Sequence, residues 1–466
     1  MKSFYHKDFL LQNTYGKRLY HDVAAALPII DPHNHIDPSA LSTNKKFQNI
    51  YQLWVQHDPY KHRAMRMYGI AEELVTGSRS DYEKFLAWAE CYPHTAGNPL
   101  FHWCAMELQE VFGIKEMLTV GSAKQIWEGA NKKLAKKGFG ALAIIKNLGV
   151  ELLCTSDDLL DDLAHHISLS KHQNGVVCLP SLRSDSIIAF NSPAFYLWLS
   201  KLKGITYVDV NTLQTYKDAV IKRLDFFDEV GCLLSDHSLD SGFEFIQTGE
   251  AIATDLFRQL LEGAALTNHG LIKLQSHLLH FLGKEYANRK WGMQLHMGAH
   301  RYTSTNMRNK LGPAGGYAGI GNTVNVQSLC LFLDGLDIEG GLPKTILYTL
   351  NPADNAVLAT LTGSFAEDGV QGKVQAGPAW WYNDHYEGIT QQLLTLSSYS
   401  LLGTSIGMTT DSRSILSFVR HDYYRRILCN LLGAWAEEGK LPDDFEYVST
   451  LVKNIAYHNI KNWIKK

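Results

Sequence analysis

Several signals that direct a chain to a membrane or to an oxidising compartment are missing from these 466 residues. No stretch approaches the roughly 20 consecutive apolar residues of a membrane span. Residues 1–20 lack the apolar run of a secretory signal. The seven cysteines are dispersed and never form a Cys-x-x-Cys pair, which indicates buried free thiols in a reducing compartment. We therefore expect a cytoplasmic protein.

An excess of positive charge and a phosphate-binding motif are also missing. The formal net charge is -3, which gives no support to binding of nucleic acid or of acidic lipid. No Gly-rich phosphate signature is present, and residues 312–321 indicate a flexible loop instead. We expect neither a nucleic-acid nor a membrane partner. We do expect a homo-oligomer, although the sequence does not give the number of subunits.

Short apolar runs, each followed by polar residues, recur along the chain. Seven of them, separated by helix-length segments, indicate buried parallel strands of βαβ units. The runs are residues 27–30, 150–154, 175–179, 231–234, 291–295, 345–350 and 404–408. Polar clusters after every strand are typical of a barrel, whose active site lies at the carboxyl ends of its strands. A doubly wound sheet would group them at one switch point. We predict an α/β fold, a distorted (β/α)8 TIM-type barrel with one strand not located.

Over a hundred residues separate the first run from the second. They are largely helical in pattern, notably in 49–54, 81–90 and 99–111. We interpret residues 36–145 as a mainly helical insertion after strand one, which also hides or displaces strand two. The whole chain, residues 1–466, is then one metal-dependent barrel. Residues 421–466 form amphipathic helix that closes it.

Two histidines follow the first strand in the sequence Asp31-Pro-His33-Asn-His35. Residues two apart on a strand face the same side, and neutral imidazoles suit Zn²⁺ and similar ions. Asp411 follows the last strand, which neighbours the first in a closed barrel, so its carboxylate could complete a site of three ligands. Two alternatives stay open: the histidines are unrelated turn residues, or Asp411 caps the next helix.

With Asp31-Pro-His-Asn-His35 and a carboxylate after the last strand, the chain resembles the amidohydrolase superfamily. Within it, the sequence is similar to the uronate (glucuronate) isomerase family in six further segments. These are Asp58-Pro-Tyr60-Lys-His-Arg63-Ala-Met-Arg66, Pro93-His-Thr-Ala-Gly-Asn-Pro-Leu-Phe-His-Trp103, Ser235-Asp-His237, Leu350-Asn-Pro-Ala-Asp354-Asn, Trp380-Trp-Tyr-Asn-Asp384 and Thr410-Asp-Ser-Arg-Ser414. The resemblance implies an aldose–ketose isomerase that converts D-glucuronate to D-fructuronate and D-galacturonate to D-tagaturonate through an enediol. A small-molecule hexuronate is then the substrate.

The same resemblance implies the roles of individual residues. His33, His35 and Asp411 would hold one divalent metal ion, which we expect to be zinc, with manganese, cobalt or iron as alternatives. Asp411 would also abstract the substrate proton, Tyr60 would carry the hydroxyl proton and Arg413 would stabilise the intermediate. The expected substrate-binding residues are Arg183, Arg301, His296, Asp236 and Trp381.

Some of these assignments have alternatives. Arg183, Arg301 and Arg413 each follow a strand, where a guanidinium can hold a carboxylate, although each could instead form a surface ion pair. Tyr60 and Trp381 could be packing aromatics. Pro59 stands where the family has histidine before the tyrosine. Opening of the sugar ring is therefore left to another residue, with His57 and His62 as candidates.

Two other functions stay open on the sequence alone. A mononuclear metal-dependent hydrolase or deaminase would use the same barrel. Residues 179–184 contain no lysine to bridge two metal ions, which argues only against dinuclear hydrolases. A non-catalytic sugar-acid binding protein is the alternative from a different class. Turnover separates the three, because isomerisation changes no mass, hydrolysis adds water and binding yields no product.

Overall fold

The structure is a computed structural model that describes residues 4–171 and 175–466. The strands, β1 to β11 in chain order, are Ile29–Asp31, Val150–Cys154, Asp157–Asp158, Val177–Leu179, Ser181–Arg183, Leu234–Leu239, Gly292–Met297, Ala299–His300, Gly319–Ile320, Thr345–Thr349 and Val374–Ala376. The α-helices, α1 to α20 in chain order, are Thr14–Leu19, Pro38–Ser42, Ile50–Trp54, Pro59–Tyr68, Asp81–Cys91, Pro99–Glu107, Ala123–Leu134, Ala141–Asn147, Ala164–Ser170, Phe195–Thr206, Leu213–Val230, Glu250–Leu261, Asn268–Asn288, Thr305–Leu311, Val326–Ile338, Asn355–Ser364, Tyr386–Tyr399, Val419–Glu437, Phe445–Lys453 and Asn459–Trp463.

The barrel strands are parallel and follow one another in chain order. One sheet has the order β1-β2-β4, and the other has the order β3-β5-β6-β7-β10-β11. Pro180 separates β4 from β5, and a proline has no N–H to donate to a ladder. Strand β2 leads directly into β3, and β4 leads directly into β5. The two sheets therefore continue into each other as one wall of the barrel. The architecture is the distorted α/β barrel predicted from the sequence.

The seam between the first and last barrel positions has no regular ladder and is closed by two backbone hydrogen bonds together with side-chain hydrogen bonds. The Asp411 N–H donates to the His33 carbonyl at 3.1 Å, and the His35 N–H donates to the Ser412 carbonyl at 3.0 Å. The buried carboxylate of Asp31 accepts from the hydroxyls of Thr409 at 2.7 Å and Thr410 at 2.6 Å. Asp31 therefore fastens β1 to the segment that carries Asp411.

The structure corrects two details of the strand prediction. Residues 36–145 are all described and contain no strand, and β1 pairs directly with β2. The insertion therefore neither hides nor displaces strand two, which is the predicted run at 150–154. The strand that was not located is β11, which pairs with β10. Residues 404–408 lie at the last barrel position without forming a strand.

Local sequence signals fix many helix ends. Helix α11 begins after Thr212, whose hydroxyl accepts from the Thr215 N–H, and it ends at Gly231 with φ of 99°. A hydroxyl at the first position satisfies an otherwise free N–H. Glycine adopts the left-handed end conformation without the steric cost of a Cβ. Helix α7 spans Ala123–Leu134 and has Lys132 and Lys133 in its last turn, where basic side chains interact favourably with the helix dipole.

Three apolar clusters form the interior. The first lies inside the barrel and includes Ile30, Leu234, Ile346, Tyr348 and Trp463, the last of these on α20. The second lies between the strands and the outer helices. The third is shared by the helices of the insertion, α1, α18 and α19. This third cluster anchors helix α4, which carries Tyr60.

The seven cysteines were predicted to be buried free thiols. All seven cysteines are free, and six of them are buried. Within the described ranges, no helix is both long and apolar enough to cross a membrane.

Candidate active site

Three potential metal ligands meet at the carboxyl end of the barrel. The Nε2 atoms of His33 and His35 lie 3.2 Å and 3.0 Å from Oδ1 of Asp411. One ligand atom from each residue lies within 4.8 Å of the others, so the group could hold one metal ion. His33 is buried, whereas the side chains of His35 and Asp411 are partly accessible. The site is thus open on one side, where a substrate can approach.

The backbone and the electrostatics of Asp411 are both unusual. Its φ of 43° lies in the left-handed region, which a non-glycine residue occupies at a cost of about 1–3 kcal/mol when its surroundings enforce it. Burial would raise the pKa of the Asp411 carboxyl, but hydrogen bonds from His33 and His35 outweigh burial and hold the pKa well below its usual range. The carboxyl is therefore ionised at neutral pH.

Asp236 on β6 and His296 on β7 are buried beside His33. Asp236 Oδ2 accepts from the Ser156 hydroxyl at 2.8 Å and lies 3.8 Å from Nδ1 of His33. The His296 ring lies 4.4 Å from the His33 ring and is stacked on Tyr348 at 4.5 Å. Tyr348 is its register partner on β10, which explains the parallel rings. Burial and the charge of His33 lower the pKa of His296 well below its ordinary value, so it is neutral.

Two guanidinium groups lie at or just after strand ends, Arg183 on β5 and Arg301 after β8. Arg183 ends β5, is the register partner of Asp236 and pairs with Asp185 through Nε at 3.1 Å. Arg301 donates to Asp240 at 2.7 Å and to the Ser238 hydroxyl at 2.9 Å. Both side chains are about one-third exposed. Each is oriented by an aspartate and remains accessible to an anionic ligand.

Tyr60 and Arg413 approach this centre from opposite sequence regions. Tyr60 is half-buried at the start of α4, where the Asp58 carboxylate accepts from its N–H at 2.9 Å. Burial, followed by the negative charges of Asp384 and Asp411, raises the pKa of Tyr60 well above its ordinary value. Arg413 is exposed two residues after Asp411. Although part of the side chain is exposed, partial desolvation of its guanidinium lowers the pKa, and the charge of Asp411 opposes that effect.

The structure distinguishes the two histidines near Pro59. His62 is buried, and its pKa is lowered to about 4, mainly by burial, with a smaller opposing contribution from Asp58. His57 is exposed, and partial desolvation of its ring, followed by the charges of Lys45 and Arg413, lowers its pKa. Of the two histidines, His57 is therefore the accessible one. Pro59 is the first residue of α4, a position that favours proline because its fixed φ suits the helix start.

The adjacent tryptophans Trp380 and Trp381 make different contacts. Trp380 is buried and donates from Nε1 to Asp411 Oδ2 at 2.5 Å. Trp381 is half-buried and stacks on Tyr382 with ring centroids 4.7 Å apart. Trp381 was predicted to bind substrate, whereas the contact of Trp380 with Asp411 was not predicted. The role of Asp31 was not predicted either, although its place directly before Pro-His-x-His was a usable signal.

The comparisons with known proteins agree with this geometry. A family model described as glucuronate isomerase matches residues 1–464. The chain belongs to the glucuronate isomerase family. Members of that family are isomerases, so membership confirms the predicted activity and disfavours both the hydrolase and the non-catalytic alternative.

Relatives match this glucuronate isomerase family chain from end to end. The uronate isomerase of Bacillus licheniformis is 43% identical over 465 residues, which cover 100% of this chain and 98% of the relative. That of Caldicellulosiruptor saccharolyticus is 44% identical over 464 residues, covering 99% of each chain. The crystal structure of uronate isomerase from Thermotoga maritima matches with a TM-score of 0.93 at 32% identity, covering 100% of both chains.

Proposed function

We propose that the chain is a metal-dependent isomerase that converts D-glucuronate to D-fructuronate and D-galacturonate to D-tagaturonate. A proton moves between C2 and C1 through an enediol. The observation that carries this proposal is the convergence of His33, His35 and Asp411 at the open end of the barrel, with Arg183 and Arg301 nearby. We place the reaction in the cytoplasm, where the seven free thiols stay reduced. A homo-oligomer and the 36–145 insertion remain predictions.

The donor set suits one divalent ion, which we propose to be Zn²⁺. Two imidazoles and one carboxylate are a common zinc ligand set that keeps a position open. Nδ1 of His33 is buried, has no hydrogen-bond partner among the described residues and lies 3.8 Å from Asp236. A carboxylate behind a ligating histidine is a frequent arrangement. When bound, the ion polarises the oxygen atoms of the substrate as a Lewis acid.

Asp411 is the proposed base for the carbon-bound proton. It takes the proton from C2 and returns it to C1, and its ionised form at neutral pH is the form that this step requires. Because its pKa is depressed, Asp411 is a weak base and needs the enediolate to be stabilised as it forms. The exposed Arg413 is the cation that we assign to this task.

Tyr60 is the proposed carrier of the hydroxyl proton. Its high proton affinity lets the phenol donate to one substrate oxygen while it accepts from the other, without leaving a stable phenolate. The hexuronate carboxylate is assigned to Arg183, with Arg301 beside it. Asp236, His296 and Trp381 would orient the sugar hydroxyls and ring.

Replacement of Arg183 tests the carboxylate assignment. We expect Arg183→Met to raise KM for D-glucuronate by about 10- to 100-fold, because a charge-assisted hydrogen bond contributes about 1.5–3 kcal/mol. We expect kcat to change much less. The measurement is a steady-state comparison with Arg258→Met, an exposed arginine on α12. An unchanged KM in Arg183→Met would remove the assignment.

Product analysis tests the proposed function directly. Purified protein is incubated with D-glucuronate or D-galacturonate, with and without chelator, and the products are resolved by chromatography and mass spectrometry. In ordinary water we expect ketouronates of unchanged mass. When the reaction is run in D₂O, we expect deuterium at C1 of the product to the extent that Asp411 exchanges its proton with solvent. A product heavier by one water would indicate a hydrolase, and the absence of any product would contradict catalysis on these sugars.

A further inference from the structure

Arg420 is a buried cation enclosed by aromatic rings beside the candidate site. It lies on α18 and is 1% exposed. Its guanidinium carbon lies 3.8 Å from the ring centroid of Trp103 and 5.0 Å from that of Tyr60. The two rings meet edge to face with centroids 6.0 Å apart. Arg420, Trp103 and Tyr60, together with Asp384, are called the Arg420 cage below.

The guanidinium of Arg420 also contacts the backbone next to Asp411, one of the proposed metal ligands. Its NH1 group lies 3.4 Å from Oδ2 of Asp384 and 3.4 Å from the backbone carbonyl of Thr410. Thr410 immediately precedes Asp411. The same guanidinium therefore contacts the ring of Tyr60 and the backbone next to Asp411, the two proposed proton-transfer groups.

Arg420 is poorly paired for a buried charge. Both polar contacts are long, and Nε has no hydrogen-bond partner among the residues that the structure describes. A buried ion with incomplete pairing destabilises the fold compared with an apolar side chain of similar size. The stability of α18 therefore does not account for this arginine, whereas a task in the site does.

The charges around Tyr60 show what that task is. Asp384, Asp411 and Asp58 all disfavour a negative charge on the phenol, and Arg420 is the cation that opposes them. The guanidinium also lies over the Tyr60 ring, with its carbon 5.0 Å from the centroid, a contact that restricts the ring and that a hydrated ammonium makes less well. The Arg420 cage thus limits both the position of Tyr60 and the charge that it can carry.

We propose that Arg420 is a positioning residue for hydroxyl-proton transfer. Asp384 holds its guanidinium, which keeps the Tyr60 ring next to the Thr410–Asp411 backbone. This proposal rests on the proposed role of Tyr60. It adds two buried residues, Arg420 on α18 and Asp384 in the loop before α17, to those on which the isomerisation depends. Arg420 acts through Tyr60 and has no contact with substrate.

A double-mutant cycle tests this proposal. We expect Arg420→Met to lower kcat by about 30-fold or more and Arg420→Lys by about 10-fold, with KM changed less than about 3-fold, because the effect is on a step and not on binding. In a Tyr60→Phe background, we expect Arg420→Lys to cause no further loss. Residues that act through one another are non-additive in this way.

Arg426 provides a matched control on the same helix. It is also buried, lies 4.2 Å and 5.3 Å from the ring centroids of Tyr20 and Tyr5, and pairs with Asp422 at 2.7 Å. None of these partners belongs to the candidate site. We expect Arg426→Lys to perturb thermal stability as Arg420→Lys does, but to leave kcat within about 2-fold of the wild type.

The outcomes separate this inference from the proposed function. If Tyr60→Phe keeps full activity, the role of Tyr60 fails and the inference fails with it. If Tyr60→Phe is impaired but Arg420→Lys lowers kcat equally in both backgrounds, only the inference is overturned. Should the Arg420 variants not fold, Asp384→Asn enters the same cycle, with the same non-additivity expected and additive losses contradicting it.

Discussion

Asp411→Asn is expected to lower kcat by about 10²- to 10⁴-fold, the contribution that a general base typically makes to turnover. The substitution keeps the size of the side chain but removes its negative charge. In the wild type, Oδ1 of this carboxylate lies 3.2 Å and 3.0 Å from the Nε2 atoms of His33 and His35. It therefore removes the proposed base and weakens the proposed metal site together. Initial rates of ketouronate formation and metal content per chain measure both effects.

The control for this substitution is Asp368→Asn, which changes an exposed aspartate between α16 and β11. It should match the wild type in rate, metal content and melting temperature. Asp411→Asn should melt as one cooperative unit, because the carboxamide can still accept from Trp380 Nε1. Turnover of Asp411→Asn within about 10-fold of the wild type would exclude Asp411 as the base.

Arg413→Met is expected to lower kcat by about 10²- to 10³-fold, because it removes the cation assigned to the developing enediolate. The guanidinium is exposed and the charge of Asp411 acts on it. Methionine keeps most of the aliphatic part of the arginine side chain, so the effect of the substitution on folding should be small. Rates with D-glucuronate and thermal melting curves test both parts of the prediction.

Arg79→Met serves as the reference for loss of an exposed arginine. Arg79 is 59% exposed and pairs only loosely, at 3.5 Å, with Glu83 one helical turn away. We expect its kcat to be unchanged. If Arg413→Met raises KM and leaves kcat intact, Arg413 binds the ground state and stabilises no charge that develops in the reaction.

Apolar periodicity was sufficient to predict the barrel, but not every strand. The buried runs before His33 and Asp236 are long enough to be recognised. Strand β11 has only three residues and includes the polar Gln375, so no run marks it. The last barrel position lacks a ladder because the Asp31 carboxylate accepts from the Thr410 N–H at 3.2 Å, a donor that a neighbouring strand would otherwise use.

The site was predicted to the extent that its residues lie in local motifs. The His-x-His pair and Asp411 follow strands, and the barrel topology brings them together. Arg420 and Trp380 could not be assigned in this way. An arginine within an amphipathic helix has no local sign of burial, and its neighbours Tyr60, Trp103 and Asp384 are distant in sequence. Such contacts are tertiary and require the packed structure.

Metal titration of chelator-treated protein tests the central claim most directly. Bound metal, measured by mass spectrometry of the elements, and isomerisation rate are followed together as a divalent ion is added back. We predict that activity rises in proportion to occupancy and is complete at about one ion per chain, since ligand binding and activity share one site. Full turnover at an occupancy below about a tenth of an ion per chain, or undiminished metal binding in a His33→Ala, His35→Ala variant, would contradict the account.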